Sequence, residues 1–216
     1  MARIMITSGP TRQYLDPVRY LTNASSGRMG AALAQSALEL GHEVLVVTGP
    51  VNLDYDPRAE ICEVLTTEDM LRECFTRFPD FDGAIGAAAP CDYRPRVVAT
   101  QKLKKTGEPL QLELIETPDV IATLGQYKRP DQWVVGFALE SEDHRFRALA
   151  KLEAKMCDLM VSNGTEAINA AENRVELLSP AGELLAQISG KKEQVAAELM
   201  AQIDRRLISG RRSHDP

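Results

Sequence analysis

The sequence predicts an α/β fold, a mainly parallel sheet with helices on both faces, and three observations carry that expectation. Short apolar runs alternate with longer amphipathic ones, as strands and helices alternate in a parallel sheet. Runs such as 44–47 and 134–138 are apolar at nearly every position, which suits strands covered on both sides. Cap and stop residues fall at the joints, with Thr66 and Thr67 ahead of one amphipathic run and Gly41 behind another.

In order along the chain, residues 4–7 read as the first strand. Residues 29–40 read as a helix, with Met29, Leu33, Ala37 and Leu40 on one face. Strands follow at 44–48 and 59–64, then a helix at 68–77. The small-residue run 84–88 reads as a buried strand, 118–124 as a short helix and 134–138 as another central strand. A helix at 145–157 leads to a strand at 159–162. Residues 175–178 and 184–188 flank Ser-Pro-Ala-Gly-Glu, a hairpin signal, and a helix at 191–207 closes the fold. One domain over 1–209 is expected, with a polar, frayed tail at 210–216. Two stretches interrupt the pattern. Residues 8–26 form an unusually long connection, and 92–116 form an excursion with a basic run, then Leu110, Leu112 and Leu114 alternating with polar residues, read as a projecting hairpin.

Composition narrows the function. With 25 Lys and Arg against 31 Asp and Glu, the net charge of -6 argues against a nucleic-acid binder. No apolar run approaches the ~20 residues that cross a bilayer, and residues 1–4 lack the features of a signal peptide, so no membrane association and a cytoplasmic location are expected. Cys62, Cys74, Cys91 and Cys157 lack zinc-knuckle spacing and read as reduced, packed thiols. His42, His144 and His214 stand in no motif and read as surface residues rather than catalysts.

Three constellations could carry chemistry. Ser25-Ser26-Gly27-Arg28-Met29-Gly30 opens the first helix, where unpaired amides and the helix dipole favour an anion; the plain reading is that Ser26 is an N-cap. Upstream, Gly9 begins a polar loop in which the fork of Arg19 suits a carboxylate or phosphate and Asn23 offers a donor and an acceptor; alternatively Arg19 pairs with Asp16 across a turn. Neither GxGxxG nor GxxxxGK[ST] is present. In the middle, Gly86-Ala87-Ala88-Ala89-Pro90-Cys91-Asp92 leaves the end of a buried strand, where open α/β sheets place ligands. The run 94–105 follows, with Arg94, Arg96, Lys102, Lys104 and Lys105 and no acid, a patch fit for a triphosphate or simply a solvated face.

The stretches ITSGPTRQYLDPVRYLTNASSGRMG, GAAAPCDYRP, QKLKK, VVGFALES and CDLMVSN, in this order over about residues 4–163, resemble the phosphopantothenate-cysteine ligase family, in the bacterial form often carried as the second half of a bifunctional flavoprotein. The resemblance implies a Rossmann-like homodimer, here the freestanding ligase, that joins phosphopantothenate to cysteine through an acyl-nucleotidylate. It implies CTP as substrate with Mg²⁺, and a separate decarboxylase as a possible partner. By position it implies that Asn23 contacts the acyl intermediate, that Arg19 and Ala88 line the substrate pocket, and that Lys102 reaches the triphosphate, in its own or the partner subunit's site. Gly9, Ser25, Ser26, Gly27, Gly86, Ala87, Ala88, Asp92, Val134, Val135, Gly136, Phe137, Lys151 and Lys155 fall at nucleotide-contacting positions. Pro90-Cys91 and residues 139–141 depart from the family's usual residues and leave CTP against ATP open. Two rivals are a short-chain nicotinamide reductase, whose Tyr-x-x-x-Lys pair is missing at Tyr93 and Tyr127, and a non-catalytic nucleotide- or flavin-binding subunit.

Overall fold

A computed structural model describes residues 1–140, 144–164 and 173–210. Its strands are β1 (Arg3–Ser8), β2 (Arg12–Tyr14), β3 (Tyr20–Thr22), β4 (Glu43–Thr48), β5 (Glu60–Glu63), β6 (Gly83–Gly86), β7 (Tyr93–Pro95), β8 (Leu114–Glu116), β9 (Trp133–Glu140), β10 (Leu159–Gly164), β11 (Asn173–Leu178) and β12 (Leu184–Gly190). The α-helices are α1 (Arg28–Glu39), α2 (Thr67–Arg77), α3 (Val120–Tyr127), α4 (His144–Ala154) and α5 (Lys192–Ile203).

Eight strands form one sheet in the order β12-β11-β10-β9-β6-β1-β4-β5. From β5 to β10 every neighbouring pair is parallel, whereas β10–β11 and the hairpin β11–β12 pair antiparallel. Side chains alternate across the sheet. Ile4, Ile6, Val44, Val46 and Val135 face α1 and α5, whereas Met5, Leu45, Val47 and Val134 face α2, α3 and α4. Both faces are therefore dry, which is why these strands read as unbroken apolar runs. The expected parallel sheet with helices on both sides is the observed architecture.

The cap reading at α2 holds: the Thr66 hydroxyl accepts from the Asp69 amide at 3.0 Å while the Asp69 carboxylate accepts from the Thr66 amide at 3.1 Å. Several expectations need correction. The 8–26 connection contains the antiparallel hairpin β2–β3, too short to show a period in sequence. Leu40, placed on the buried face of α1, is exposed at its C-cap, because the helix ends before the turn that would bury it. His42 is buried, since its Nδ1 accepts from the Ala2 amide at 3.2 Å and its Nε2 lies 3.2 Å from the Asp204 carboxylate. The last helix gives way at Asp204–Ser209 to a π-helical turn, and Gly210 keeps helical dihedrals; residues 211–216, with His214, lie outside the described residues, as does the side chain of His144. The excursion is a hairpin at its root, β7 pairing antiparallel with β8, but Leu110 and Leu112 belong to no strand.

Candidate functional site

Strand order sets the location. The chain moves from β1 outward to β4 and β5, then crosses back to β6 on the other side of β1, so the order reverses between β1 and β6. At such a reversal the loops leaving the two strands part and open a crevice at their C-terminal ends. Here the loops stay tied at their base. The Ala89 amide donates to the Gly9 carbonyl at 2.9 Å and the Ala88 amide to the Thr7 hydroxyl at 3.2 Å.

A cavity of about 450 Å³ opens beside this crossing. Its lining unites Gly86, Ala88, Asp92, Gly136, Phe137 and Lys155 of the sequence-derived candidates. Asn23 reaches the same wall, its Nδ2 donating to the carbonyl of the lining residue Pro90 at 2.8 Å. The other wall runs from Glu116, at the end of β8, into α3 through Thr117, Pro118, Asp119, Val120 and Ile121, none of which the sequence marked as a site residue. The available signal was Asp119 as a cap: its carboxylate accepts from the Ala122 amide at 2.9 Å. Asp119 also pairs with Lys155 at 2.9 Å, joining α3 to the end of the α4 segment. Burial pushes the Asp119 carboxyl up, but the Ala122 amide and Lys155 outweigh it and hold it below the usual range.

A buried polar ring fastens the floor. The Cys91 amide donates to the Thr11 hydroxyl at 2.8 Å, Thr11 and Thr67 hydroxyls are 2.8 Å apart, and the Thr67 hydroxyl donates to the Cys91 carbonyl at 3.1 Å. Because Thr67 spends its proton on Cys91, Thr11 must be the donor between the hydroxyls, and the ring closes in one direction. The Thr117 hydroxyl adds a bond to the same carbonyl at 2.6 Å. Loops after β1 and β6 and the starts of α2 and α3 are thus held together near Asp92.

Other candidates take different places. Gly27 is the N-cap of α1, with φ +75°, a left-handed conformation that strains other residues, and a Cβ there would lie 2.9 Å from Val51. Ser26 is therefore not the cap; Ser25 is half-buried and Ser26 exposed just before it. Gly9 is likewise left-handed, with φ +71°, at the turn out of β1. Val134 and Val135 are wholly buried in opposite faces of the core, Ala87 packs against one of those faces, and Lys151 is exposed on α4; none of the four lines the cavity.

Arg19 and Lys102 form a second group. Arg19 pairs with Asp16 at 2.5 Å, as the alternative reading had it, and also donates from Nη1 to the Leu103 carbonyl at 3.1 Å. Lys102, Lys104 and Lys105 are exposed. The basic patch is smaller than its sequence suggests, because Arg94 pairs with Glu68 at 2.8 Å and Arg96 with Glu113 at 2.7 Å. The four cysteines are free, as expected. Burial pushes the Cys157 thiol up to about 12 and the Cys74 thiol higher still, so neither is a nucleophile at neutral pH. No described helix is long and apolar enough to cross a membrane.

The comparisons with known proteins agree with this fold. Residues 1–207 match the family model of the DNA/pantothenate metabolism flavoprotein C-terminal domain. The chain is 37% identical over 206 residues to the coenzyme A biosynthesis bifunctional protein CoaBC of Vibrio vulnificus, covering 93% of this chain and 51% of that protein. It thus spans about half the length of the curated relatives it matches. Among solved structures, the C-terminal domain of a CoaBC protein superposes with a TM-score of 0.81 at 34% identity, covering 96% of this chain and 98% of that one. The DNA/pantothenate metabolism flavoprotein from Streptococcus pneumoniae gives a TM-score of 0.82 at 25% identity, covering 95% and 100%. On the match over residues 1–207, with a relative 37% identical along nearly the whole chain, this protein belongs to the family of DNA/pantothenate metabolism flavoprotein C-terminal domains.

Proposed function

We propose that this chain is a ligase that joins 4′-phosphopantothenate to L-cysteine through an acyl-cytidylate intermediate. The observation that carries the reading is the cavity at the β1/β6 reversal, where Lys155, the start of α3 and the Asn23–Pro90 bond meet. Membership of a family whose relatives act in coenzyme A biosynthesis supports it.

In the first step a phosphopantothenate carboxylate oxygen bonds to the α-phosphorus of CTP while the bond to the bridging oxygen breaks and pyrophosphate leaves. In the second, the cysteine amine bonds to the acyl carbon, CMP leaves and the amine gives up a proton. A free carboxylate is a poor acyl donor and the mixed anhydride a good one, so the protein's task is alignment and charge neutralisation. That task suits a cavity lined by the Lys155 ammonium and bordered by the Asn23 amide. Lys155 and Lys102 would face phosphate charge, Asn23 would hold the acyl phosphate, and small residues Gly86, Ala88 and Gly136 would let the nucleoside lie close to the backbone beside Phe137.

Among the described residues no group of three or more His, Cys, Asp or Glu side chains is arranged to hold a metal. The cavity does present Asp92 and Glu116, hard oxygen donors of the kind Mg²⁺ takes one or two of alongside nucleotide phosphates. Those two carboxylates would hold it, and the ion would neutralise phosphate charge. The exposed Val97, Val98, Leu110 and Leu112 support a homodimer built through the excursion, which would bring Lys102 towards the partner's cavity. That the relatives are bifunctional supports a second activity beside this one, here proposed to be a decarboxylase.

The test is to incubate the purified chain with Mg²⁺, phosphopantothenate, cysteine and either CTP or ATP. CMP and pyrophosphate are expected in equal amounts and only with phosphopantothenate present; nucleotide cleavage without that acid would end the proposal. Lys102→Gln is expected to raise the apparent CTP requirement roughly 10- to 150-fold, the range of one charge-assisted hydrogen bond, with the cysteine requirement nearly unchanged. Equal effects on both, read from paired saturation curves, would remove Lys102 from the triphosphate.

A further inference from the structure

Lys102 sits on an exposed excursion, yet a phosphate contact needs a lysine held in place. The neighbouring hydrogen bonds supply the holding group. Asp16 is fully buried although it lies in a polar surface loop. Its Oδ1 accepts the amides of Val18 and Arg19, both at 2.8 Å. Its Oδ2 accepts the Leu103 amide at 3.1 Å and the Arg19 Nη1 at 2.5 Å. The same Nη1 donates to the Leu103 carbonyl, and the Ala99 amide donates to the Leu15 carbonyl at 3.0 Å. One carboxylate thus shapes its own turn with one oxygen and fastens the excursion with the other.

We propose that Asp16 is a positioning residue: its carboxylate clasps the excursion to the loop ahead of α1, and so fixes Lys102, next to Leu103, in register with Arg19. The role in catalysis rests on the ligase reading above; the clasp itself does not. An arginine without this partner would sample many rotamers, whereas here Nη1 is committed, and Nε and Nη2, which bond none of the described residues, are open to an anion. Burial by itself pushes the Asp16 carboxyl up, but the amides of Val18, Leu103 and Arg19 and the Arg19 guanidinium outweigh it and hold it down at about 2. The clasp is therefore charged across the neutral range.

Asp16→Asn separates the two oxygens' duties. The amide oxygen can keep the Val18 and Arg19 bonds, while the NH₂ group sets donors against the Leu103 amide and the Arg19 guanidinium. Asp16→Ala removes both. Three measurements on the full chain decide the matter: hydrogen exchange at Leu103 and in β1 and β4, calorimetric binding of inorganic tripolyphosphate, and saturation curves for CTP and cysteine. For Asp16→Asn, Leu103 is expected to exchange at least about tenfold faster with the strands unchanged, and tripolyphosphate to bind about tenfold more weakly, the scale of one lost charge-assisted bond. The CTP requirement should rise by the same factor and the cysteine requirement stay level. Unchanged Leu103 exchange in Asp16→Asn overturns the clasp. Faster exchange with unchanged tripolyphosphate binding, or with CTP and cysteine requirements rising together, overturns the positioning role. If the wild-type chain turns over no nucleotide, the ligase reading fails by itself, and exchange with tripolyphosphate binding still judges Asp16.

Discussion

Replacing Asn23 by aspartate is expected to cut turnover by about two orders of magnitude, the usual loss when one donor aimed at developing charge is removed. The structural reason is specific. Asn23 uses Nδ2 to bond the Pro90 carbonyl on the cavity wall. An aspartate would present an oxygen to that carbonyl and add negative charge where an acyl phosphate is proposed to sit. Both changes push the side chain off the wall and repel the intermediate. In the proposed mechanism this amide serves the attack of cysteine more than the formation of the acyl-cytidylate, so that intermediate should build up. Rapid quench followed by mass analysis of the bound acyl nucleotide checks it. Turnover within twofold of wild type would take Asn23 out of the mechanism.

Gly125→Ala is expected to destabilise the fold by about 1–3 kcal/mol, the usual cost of overpacking. The helix interior argues the other way, since alanine there is normally better than glycine by about 1 kcal/mol. The clash decides the sign. A Cβ on Gly125 would stand 1.9 Å from the Lys155 carbonyl oxygen, a backbone atom that cannot rotate away. Helix α3 would have to retreat from the turn carrying Lys155, which would also stretch the Asp119–Lys155 pair across the cavity. Urea unfolding should show a lower midpoint with unchanged slope, together with weaker nucleotide binding. A variant as stable as wild type or more so would show that the two segments do not approach this closely.

How much of this was legible depended on distance along the chain. The α2 cap was readable because Thr66 and Asp69 are three residues apart and their chemistry is local. The sheet strands were readable because burial on both faces removes polar residues from successive positions, as in Val44–Val47. The β2–β3 hairpin was not, since three-residue strands of mixed polarity carry no period. His42 was misjudged because a histidine's burial depends on what covers it, here Asp204 from the far end of the chain. The start of α3 was missed as a cavity wall for a similar reason: Asp119 reads as an ordinary cap until Lys155 is beside it.

By itself the sequence determined the α/β class, the helices that cap and stop on local signals, and the stretches that mark the family. Only the tertiary structure decided which candidates share a cavity, that Val134 and Val135 are core rather than lining, that Arg94 and Arg96 are already paired, and that Asp16 holds the excursion. The physical reason is that periodicity and capping act over one or two turns of chain, whereas the bonds that assemble the site join groups far apart. Asn23 meets Pro90 across 67 residues and Asp16 meets Leu103 across 87, and no local pattern encodes such a meeting before the sheet brings the loops together.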